Sequence, residues 1–186
     1  MNKFLILKHW QLFGIVIGLP LSLLIIIALV ALKGETKIAG YLFLVLLISF
    51  VLLFYSWFYS VGSSLNKKLP PNTPMPIKWF RISISIPILY FLLLSLLIIL
   101  ESTTAFSTGK RNSDALPLIL PLHFLTSICT FFCNYFISKS LRIIELKRSV
   151  TFSDYAGEFF LIWFFPIGIW VIQPRINKIF GPTIAD

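Results

Sequence analysis

Apolar positions in this chain of 186 residues gather into long runs that are separated by short polar connections. Four runs hold 22 to 24 residues each, at about residues 11–32, 38–61, 79–100 and 117–138. An α-helix needs about 20 apolar residues to cross about 30 Å of hydrocarbon. The pattern therefore predicts an all-α integral membrane protein, a single domain (residues 1–186) built as a bundle of four transmembrane helices.

A fifth apolar run, near the end of the chain, is shorter than the other four. Residues 159–172 are 14 uncharged residues, about 21 Å of helix at 1.5 Å per residue. Runs of that length are typical of re-entrant or interfacial segments. We expect a membrane-embedded C-terminal segment at about residues 155–172, which either enters and leaves on one side or crosses as a fifth span.

The composition explains why lipid is the predicted solvent. The chain is 58% hydrophobic and 12% charged, with a mean hydropathy of +0.91. A soluble domain of this size has too little interior, relative to its surface, to hide so many apolar side chains. The lipid bilayer is therefore the expected surrounding of most of the chain.

Positive charge is concentrated in the connections between the runs. The net charge is +9, but Lys and Arg do not gather on one soluble face, which disfavours nucleic acid as a partner. Their positions follow the positive-inside rule, and anionic lipid headgroups are the expected counter-charge. Twelve Lys and Arg fall on one side and four on the other if the last segment is re-entrant, and ten and six if it spans. Both counts place the N-terminus in the cytoplasm.

The end of the chain carries its most distinctive motif. Residues 164–170 read FFPIGIW and residues 173–177 read QPRIN, with Asp154 and Glu158 before them. Together with the opening KHWQL at residues 8–12, this motif resembles the signature of a group of small polytopic bacterial membrane proteins for which no activity is known. The resemblance implies the bacterial inner membrane as the location and implies no chemistry.

Polar residues form one stripe along the fourth predicted span. They are His123, Ser127, Thr130, Asn134 and Ser138, spaced by four, three, four and four, which places them on one helical face. Unsatisfied polar groups in hydrocarbon are costly, so the stripe faces protein or water. One interpretation is a solute or proton path in which His123 titrates near neutral pH. The other is packing, with the polar groups bonded to neighbouring helices or to their own backbone.

Small residues recur every four positions in the first predicted span, at Gly14, Gly18 and Ser22. This spacing lets two helix backbones approach closely in lipid. The partner of this small-residue seam is either another helix of the same chain or a helix of a second molecule. Pro20 lies between the small residues and is expected to kink the helix, because it lacks a backbone N–H.

Glu158, at the edge of the last run, has two interpretations. An acid inside the membrane can couple ions or line a path, whereas an acid in the first turn of a helix interacts favourably with the helix dipole. Thr151 and Asp154, just before it, have the spacing of a helix-start cap. A pair between Glu158 and Arg175 requires the segment to fold back, so that pair would indicate re-entrance.

Patterns typical of catalysis or metal binding do not occur in the sequence. There is no HExxH, GxSxG, P-loop or dinucleotide fingerprint. The chain has two histidines, and Cys129 and Cys133 lie in an apolar run, which disfavours a metal site or a disulfide. We expect a non-enzyme without cofactors that packs with itself, a larger membrane partner or lipid. The alternative is a small transporter or channel-like protein whose path follows the polar stripe and Glu158.

Overall fold

All regular structure in the described residues is helical, which confirms the predicted all-α class. The computed structural model describes residues 3–73, 75–108 and 116–181. After a 3-10 turn at Lys3–Leu5, this part of the chain forms α1 (His9–Leu32), α2 (Thr36–Lys68), α3 (Ile77–Thr108), α4 (Leu116–Leu146), α5 (Phe152–Trp163) and α6 (Phe165–Phe180).

Helices α1 to α4 are long and apolar enough to cross a membrane, as the four predicted spans require. Helices α2, α3 and α4 have 33, 32 and 31 residues, or roughly 47–50 Å at 1.5 Å per residue. Helix α4 continues past the predicted span as far as Leu146, and Lys147 ends it with a positive φ of 53°, a conformation common at helix ends. The short polar connection between the third and fourth predicted spans, with Lys110, Arg111 and Asp114, lies outside the described residues.

A π-helical turn at Gly14–Gly18 interrupts α1 just before Pro20. In a regular α-helix the proline ring would press against the carbonyl of Val16, four residues earlier, and that carbonyl would lose its donor. A wider turn at this point relieves the clash. The distortion predicted at Pro20 therefore takes the form of a π turn that precedes the proline.

The core is concentrated at one end of the bundle. Trp57, Phe58, Phe80 and Phe136 are among its largest fully buried side chains, and the rings of Phe80 and Phe136 stack with centroids 4.3 Å apart. The Phe80 ring lies directly on Gly62, where any Cβ would overlap it. At the opposite end, α1, α2 and α3 leave large apolar side chains exposed, including Ile25, Val45 and Leu89.

The C-terminal segment is a helical hairpin. Phe164 separates α5 from α6, and its ψ of 56° lies outside the helical region. Its carbonyl accepts the N–H groups of Ile167 and Gly168, both at 2.9 Å, which starts α6. Pro166 is tolerated in that first turn, where its missing N–H has no helical partner to lose. The segment predicted at residues 155–172 is thus two helices that cover residues 152–180.

Gln173 fastens this hairpin to the start of the chain. Its side chain is fully buried and accepts a hydrogen bond from the indole N–H of Trp57 at 3.0 Å. Its Nε2 donates to the carbonyls of Phe4 and Leu7, at 2.8 and 3.0 Å. Those carbonyls belong to or follow a short turn at the start of the chain, so the amide of Gln173 joins α6 to the N-terminal turn.

Both described ends of the chain lie at the packed end of the bundle. Nδ2 of Asn177 donates to the carbonyl of Leu7 at 2.9 Å. Nζ of Lys68, the last residue of α2, donates to the carbonyl of Ile179 at 2.6 Å. The N-terminal turn, the end of α2 and the end of α6 are therefore neighbours.

Gly168 allows the two arms of the hairpin to meet, and its replacement is a direct test of the hairpin. A Cβ at this position would overlap the backbone of Leu161 on α5. We expect Gly168→Ala to destabilise the detergent-solubilised protein by about 1–3 kcal/mol, the usual range for overpacking, and to lower its melting temperature. Gly157→Ala is the matched control, because a Cβ there meets no atom within 4 Å. Equal melting temperatures for the two variants would contradict the close approach.

Candidate functional site

Most of the predicted polar stripe lines a single cavity. The cavity has a volume of about 260 Å³ and lies between α2, α3, α4 and α5. Its lining combines polar groups of α4 with aromatic and aliphatic side chains of the neighbouring helices: Phe54, Tyr55, Phe91, His123, Thr126, Ser127, Thr130, Phe131, Asn134, Ile162 and Trp163.

The stripe passes from exposed to buried along α4. His123 is exposed, Ser127 and Thr130 are half-buried, and Asn134 and Ser138 are buried, with exposed fractions of 3% and 0%. Asn134 forms the floor of the cavity, and Ser138 lies one turn beyond it without lining it. The geometry is a blind cavity whose stripe ends in packed protein.

The hydroxyl groups of the stripe, and that of Thr126 beside it, donate to carbonyls of their own helix. Thr126 and Ser127 donate to the carbonyl of His123, at 2.8 and 2.9 Å. Thr130 donates to the carbonyl of Thr126 at 2.8 Å, and Ser138 to that of Asn134 at 2.6 Å. Such bonds satisfy hydroxyl groups inside a membrane helix. Because each hydroxyl has one proton, its oxygen remains available only as an acceptor.

Two tyrosines from other helices complete the polar contacts of the cavity. The hydroxyl of Tyr55 lies 2.8 Å from Oγ1 of Thr130, and since the Thr130 proton is already donated, Tyr55 is the donor here. The hydroxyl of Tyr90 lies 3.3 Å from Nδ1 of His123. Neither tyrosine follows from the stripe pattern, because a helical spacing identifies the face of α4 but not the residues opposite it.

The side-chain oxygen of Asn134 can accept a hydrogen bond, but no group in the described part of the chain donates one to it. Its Oδ1 is buried and has no hydrogen-bond partner in the described part of the chain. A buried polar atom without a partner costs about 1–3 kcal/mol. Because this oxygen has no accessible surface, its missing hydrogen bond is a cost of the packing at the buried end of the stripe.

Glu158 does not line the cavity but belongs to an ionic network at the base of the hairpin. Nη1 of Arg175 lies 2.9 Å from Oε1 of Glu158, and Nε of Arg175 donates to Oε1 of Glu145 at 2.8 Å. Nη2 of Arg175 binds the second oxygen of Glu145. Arg142 lies 3.3 Å from Glu145 and 3.6 Å from Glu158. Two guanidinium and two carboxylate groups thus join α4, α5 and α6.

The helix-start cap of α5 is formed by Asp154 and not by Glu158. The helix begins at Phe152, so that Glu158 lies beyond its first turn. Oδ2 of Asp154 accepts the backbone N–H of Thr151 at 2.8 Å. Hydrogen bonds from Arg148 and Thr151 lower the pKa of Asp154 to about 2, because both stabilise its charged form.

The small-residue seam contacts no other helix among the described residues. A Cβ on Gly14 would meet no atom within 4 Å, and one on Gly18 would meet only the carbonyl of Phe13, on the same helix, at 4.0 Å. Ser22 is exposed, and its hydroxyl donates to the carbonyl of Leu19 at 2.8 Å. Of the two predicted partners, a helix of a second molecule is the one for which the surface is open.

Groups that could hold a metal ion, with three or more His, Cys, Asp or Glu side chains together, do not occur among the described residues. Cys129 and Cys133 are buried free thiols. Comparisons with protein-family models, curated proteins and solved structures find no match. The resemblance of the C-terminal motif therefore stays a prediction, and the site is interpreted from its own geometry.

The blind cavity predicts a gradient of thiol reactivity along the stripe. In a background with Cys129→Ala and Cys133→Ala, Ser127→Cys should react with a membrane-impermeant thiol reagent at least about tenfold faster than Ser138→Cys, since a buried thiol is inert. Mass spectrometry of the labelled protein gives both rates. Equal labelling of the two positions would contradict the closed floor at Asn134 and indicate a continuous wet path.

Proposed function

We propose that this chain is a non-catalytic, multi-pass protein of the bacterial inner membrane that works by associating with other helices in the plane of the membrane, in the first place with a second copy of itself. The observation that carries this proposal is the uncovered seam of Gly14, Gly18 and Ser22. Helix α1 is also the least buried of the four candidate spans. In its most apolar stretch of 18 residues 11% of the residues are buried, compared with 22% to 28% in the other three spans.

The physical reason for association lies in the solvent. Lipid tails are as apolar as the side chains they touch, so the hydrophobic effect does not drive helices together inside a bilayer. Helices pair there mainly through van der Waals contacts, which are closest where small residues let the two backbones approach. The seam of Gly14, Gly18 and Ser22 can make more of these van der Waals contacts with a second helix than with a mobile acyl chain. The open seam therefore favours a helix as its partner.

The topology that fits this proposal has both ends of the chain in the cytoplasm. Helix α5 has 12 residues, about 18 Å at 1.5 Å per residue, which is too short to cross the hydrocarbon layer. The exposed side chains around the turn, Trp163, Phe164 and Ile167, suit insertion into lipid. The hairpin would then be re-entrant from the cytoplasmic side, which would carry twelve of the sixteen Lys and Arg.

Disulfide cross-linking tests the association. In a background without Cys129 and Cys133, Ser22→Cys should give a covalent dimer when membranes are oxidised, because the two seams bring this position close in both copies. Leu24→Cys is the matched control, since two residues along a helix turn its side chain about 200° away. Adding Gly18→Leu to Ser22→Cys should abolish the dimer by keeping the backbones apart.

A monomeric Ser22→Cys protein after oxidation, or equal dimer from Leu24→Cys, would contradict self-association through the seam. Purification from the native membrane in mild detergent, followed by mass spectrometry, complements the test. A larger protein bound in stoichiometric amount would replace the second copy as the partner and make the chain an accessory subunit.

A small transporter or channel-like protein is the second candidate, and the polar cavity favours it. His123, Ser127, Thr130 and Asn134 all line that cavity, as a path along the stripe requires. A continuous path would also have to open beyond Ser138 toward Glu158, which the ionic network holds away from the cavity. The thiol gradient along the stripe distinguishes this candidate from simple packing.

A further inference from the structure

A second cavity, here called the Arg81 cavity, lies between α2, α3 and the N-terminal turn and contains no residue of the seam on α1. Its volume of about 470 Å³ is larger than that of the cavity along the polar stripe. Helix α3 contributes four residues to its lining: Arg81, Ile84, Ser85 and Ile88. Their spacings of three, one and three place them on one helical face. This face begins with a positive charge and continues with apolar side chains.

Arg81 is the charged group of this cavity. It is exposed, and its side chain forms no ion pair or hydrogen bond with a described residue. No described residue that lines the cavity is Asp or Glu. Each of the arginines Arg142, Arg148 and Arg175, in contrast, is paired with a carboxylate of the chain. Because a guanidinium group has five N–H donors and no acceptor, the charge of Arg81 is available to an anion from outside the described chain.

Two hydroxyl groups of α2 add hydrogen-bond donors to the cavity. Ser56 and Tyr59 both line it and are both exposed. Neither hydroxyl is bonded to a described residue, so both can donate to an occupant. The hydroxyl of Ser85 already donates to the carbonyl of Arg81 at 3.0 Å, which leaves it only as an acceptor. The lining therefore offers an occupant one cation and two hydroxyl donors.

The positions of these groups along the helices correspond to the level of the lipid headgroups. With α3 as a membrane span, as its length and composition allow, Arg81 is its fifth residue and lies about 6 Å from its start at 1.5 Å per residue. Trp79 and Tyr59 are exposed by 65% and 47%, and such aromatic side chains gather in the headgroup layer. Ile84 and Ile88 follow one and two turns further toward the hydrocarbon.

From this arrangement we propose that the Arg81 cavity binds an anionic phospholipid, with the phosphate group at Arg81, Ser56 and Tyr59 and the acyl chains along Ile84 and Ile88. Phosphate oxygens accept hydrogen bonds and match the fork of a guanidinium group. Basic pockets between transmembrane helices bind anionic headgroups in this way. The volume of about 470 Å³ is that of roughly sixteen water molecules at about 30 Å³ each, so it holds the phosphate group and the adjoining methylene groups.

Titration of the purified protein in mild detergent with dioleoylphosphatidylglycerol, followed by native mass spectrometry, tests the proposal. We expect one molecule to bind saturably. Dioleoylglycerol, which lacks the phosphate group, and sn-glycerol 3-phosphate, which lacks the chains, should each bind at least about tenfold more weakly. Absence of saturable binding, or equal affinity for dioleoylglycerol, would overturn the proposal. Equal affinity for sn-glycerol 3-phosphate would overturn the lipid in favour of a soluble phosphate ester.

Arg81→Gln separates the cavity from the general attraction of a basic protein for anionic lipid. Because Arg81 is exposed and unpaired among the described residues, the variant should keep the melting temperature of the unmodified protein when no lipid is added. Its affinity for dioleoylphosphatidylglycerol should fall about tenfold, the effect of losing a charge-assisted hydrogen bond. Lys67→Gln is the matched control, since Lys67 is an exposed cation near the end of α2 that does not line the cavity. Equal losses in the two variants, or unchanged affinity in Arg81→Gln, would overturn the proposal.

Tyr59→Phe tests the hydroxyl donor alone, because the ring is kept. The variant should weaken binding of dioleoylphosphatidylglycerol a fewfold. Tyr41→Phe, at an exposed tyrosine of α2 outside the cavity lining, should leave it unchanged. Equal effects of the two variants would overturn the placement of the phosphate group. Because none of these positions belongs to the seam on α1, failure of seam cross-linking would leave this result intact.

Discussion

The reversal of the chain at Phe164, held by the ionic network of Arg142, Glu145, Glu158 and Arg175, is the constraint on which the rest of the structure depends. Each carboxylate meets two guanidinium groups, so the four charges compensate one another while they are half-buried or buried. Removing one member would leave a partner uncompensated, at a cost of about 3–5 kcal/mol for a buried pair. The network therefore determines where the hairpin packs against α4, whereas its net contribution to the free energy of unfolding is small.

The fold-back also creates the cavity. Ile162 and Trp163, at the end of the first hairpin arm, close one side of the polar face of α4. Without the hairpin, the same hydroxyls and the amide of Asn134 would face the surroundings of the bundle, where a polar stripe is unfavourable in lipid. The hairpin fills the packed end of the bundle and leaves α1 with an open surface. The hairpin thus closes one side of the cavity, whereas the seam on α1 lies outside its contacts.

The sequence predicts the helices and the faces well, because run length and helical spacing are local properties. The sequence predicts a polar stripe on one face of α4, and four of its members line one cavity: His123, Ser127, Thr130 and Asn134. A helical spacing cannot identify the residues that face the stripe from other helices, so the sequence does not predict the contacts of Tyr55 with Thr130 and of Tyr90 with His123. Pro166 and Gly168 are the helix-disfavouring residues of the C-terminal motif, but the break itself falls on Phe164. The pair between Glu158 and Arg175, expected only for a folded-back segment, is formed at 2.9 Å.

The position of the C-terminus relative to the membrane tests this account most directly. A reporter that works only in the cytoplasm and one that works only outside it are fused in turn after Asp186, with fusions after Lys33 in the α1–α2 connection as the matched control. We expect a cytoplasmic signal at Asp186 and an external signal at Lys33, since four spans and a re-entrant hairpin return the chain to its starting side. An external signal at Asp186 would mean that the last segment crosses the membrane, and it would contradict the hairpin.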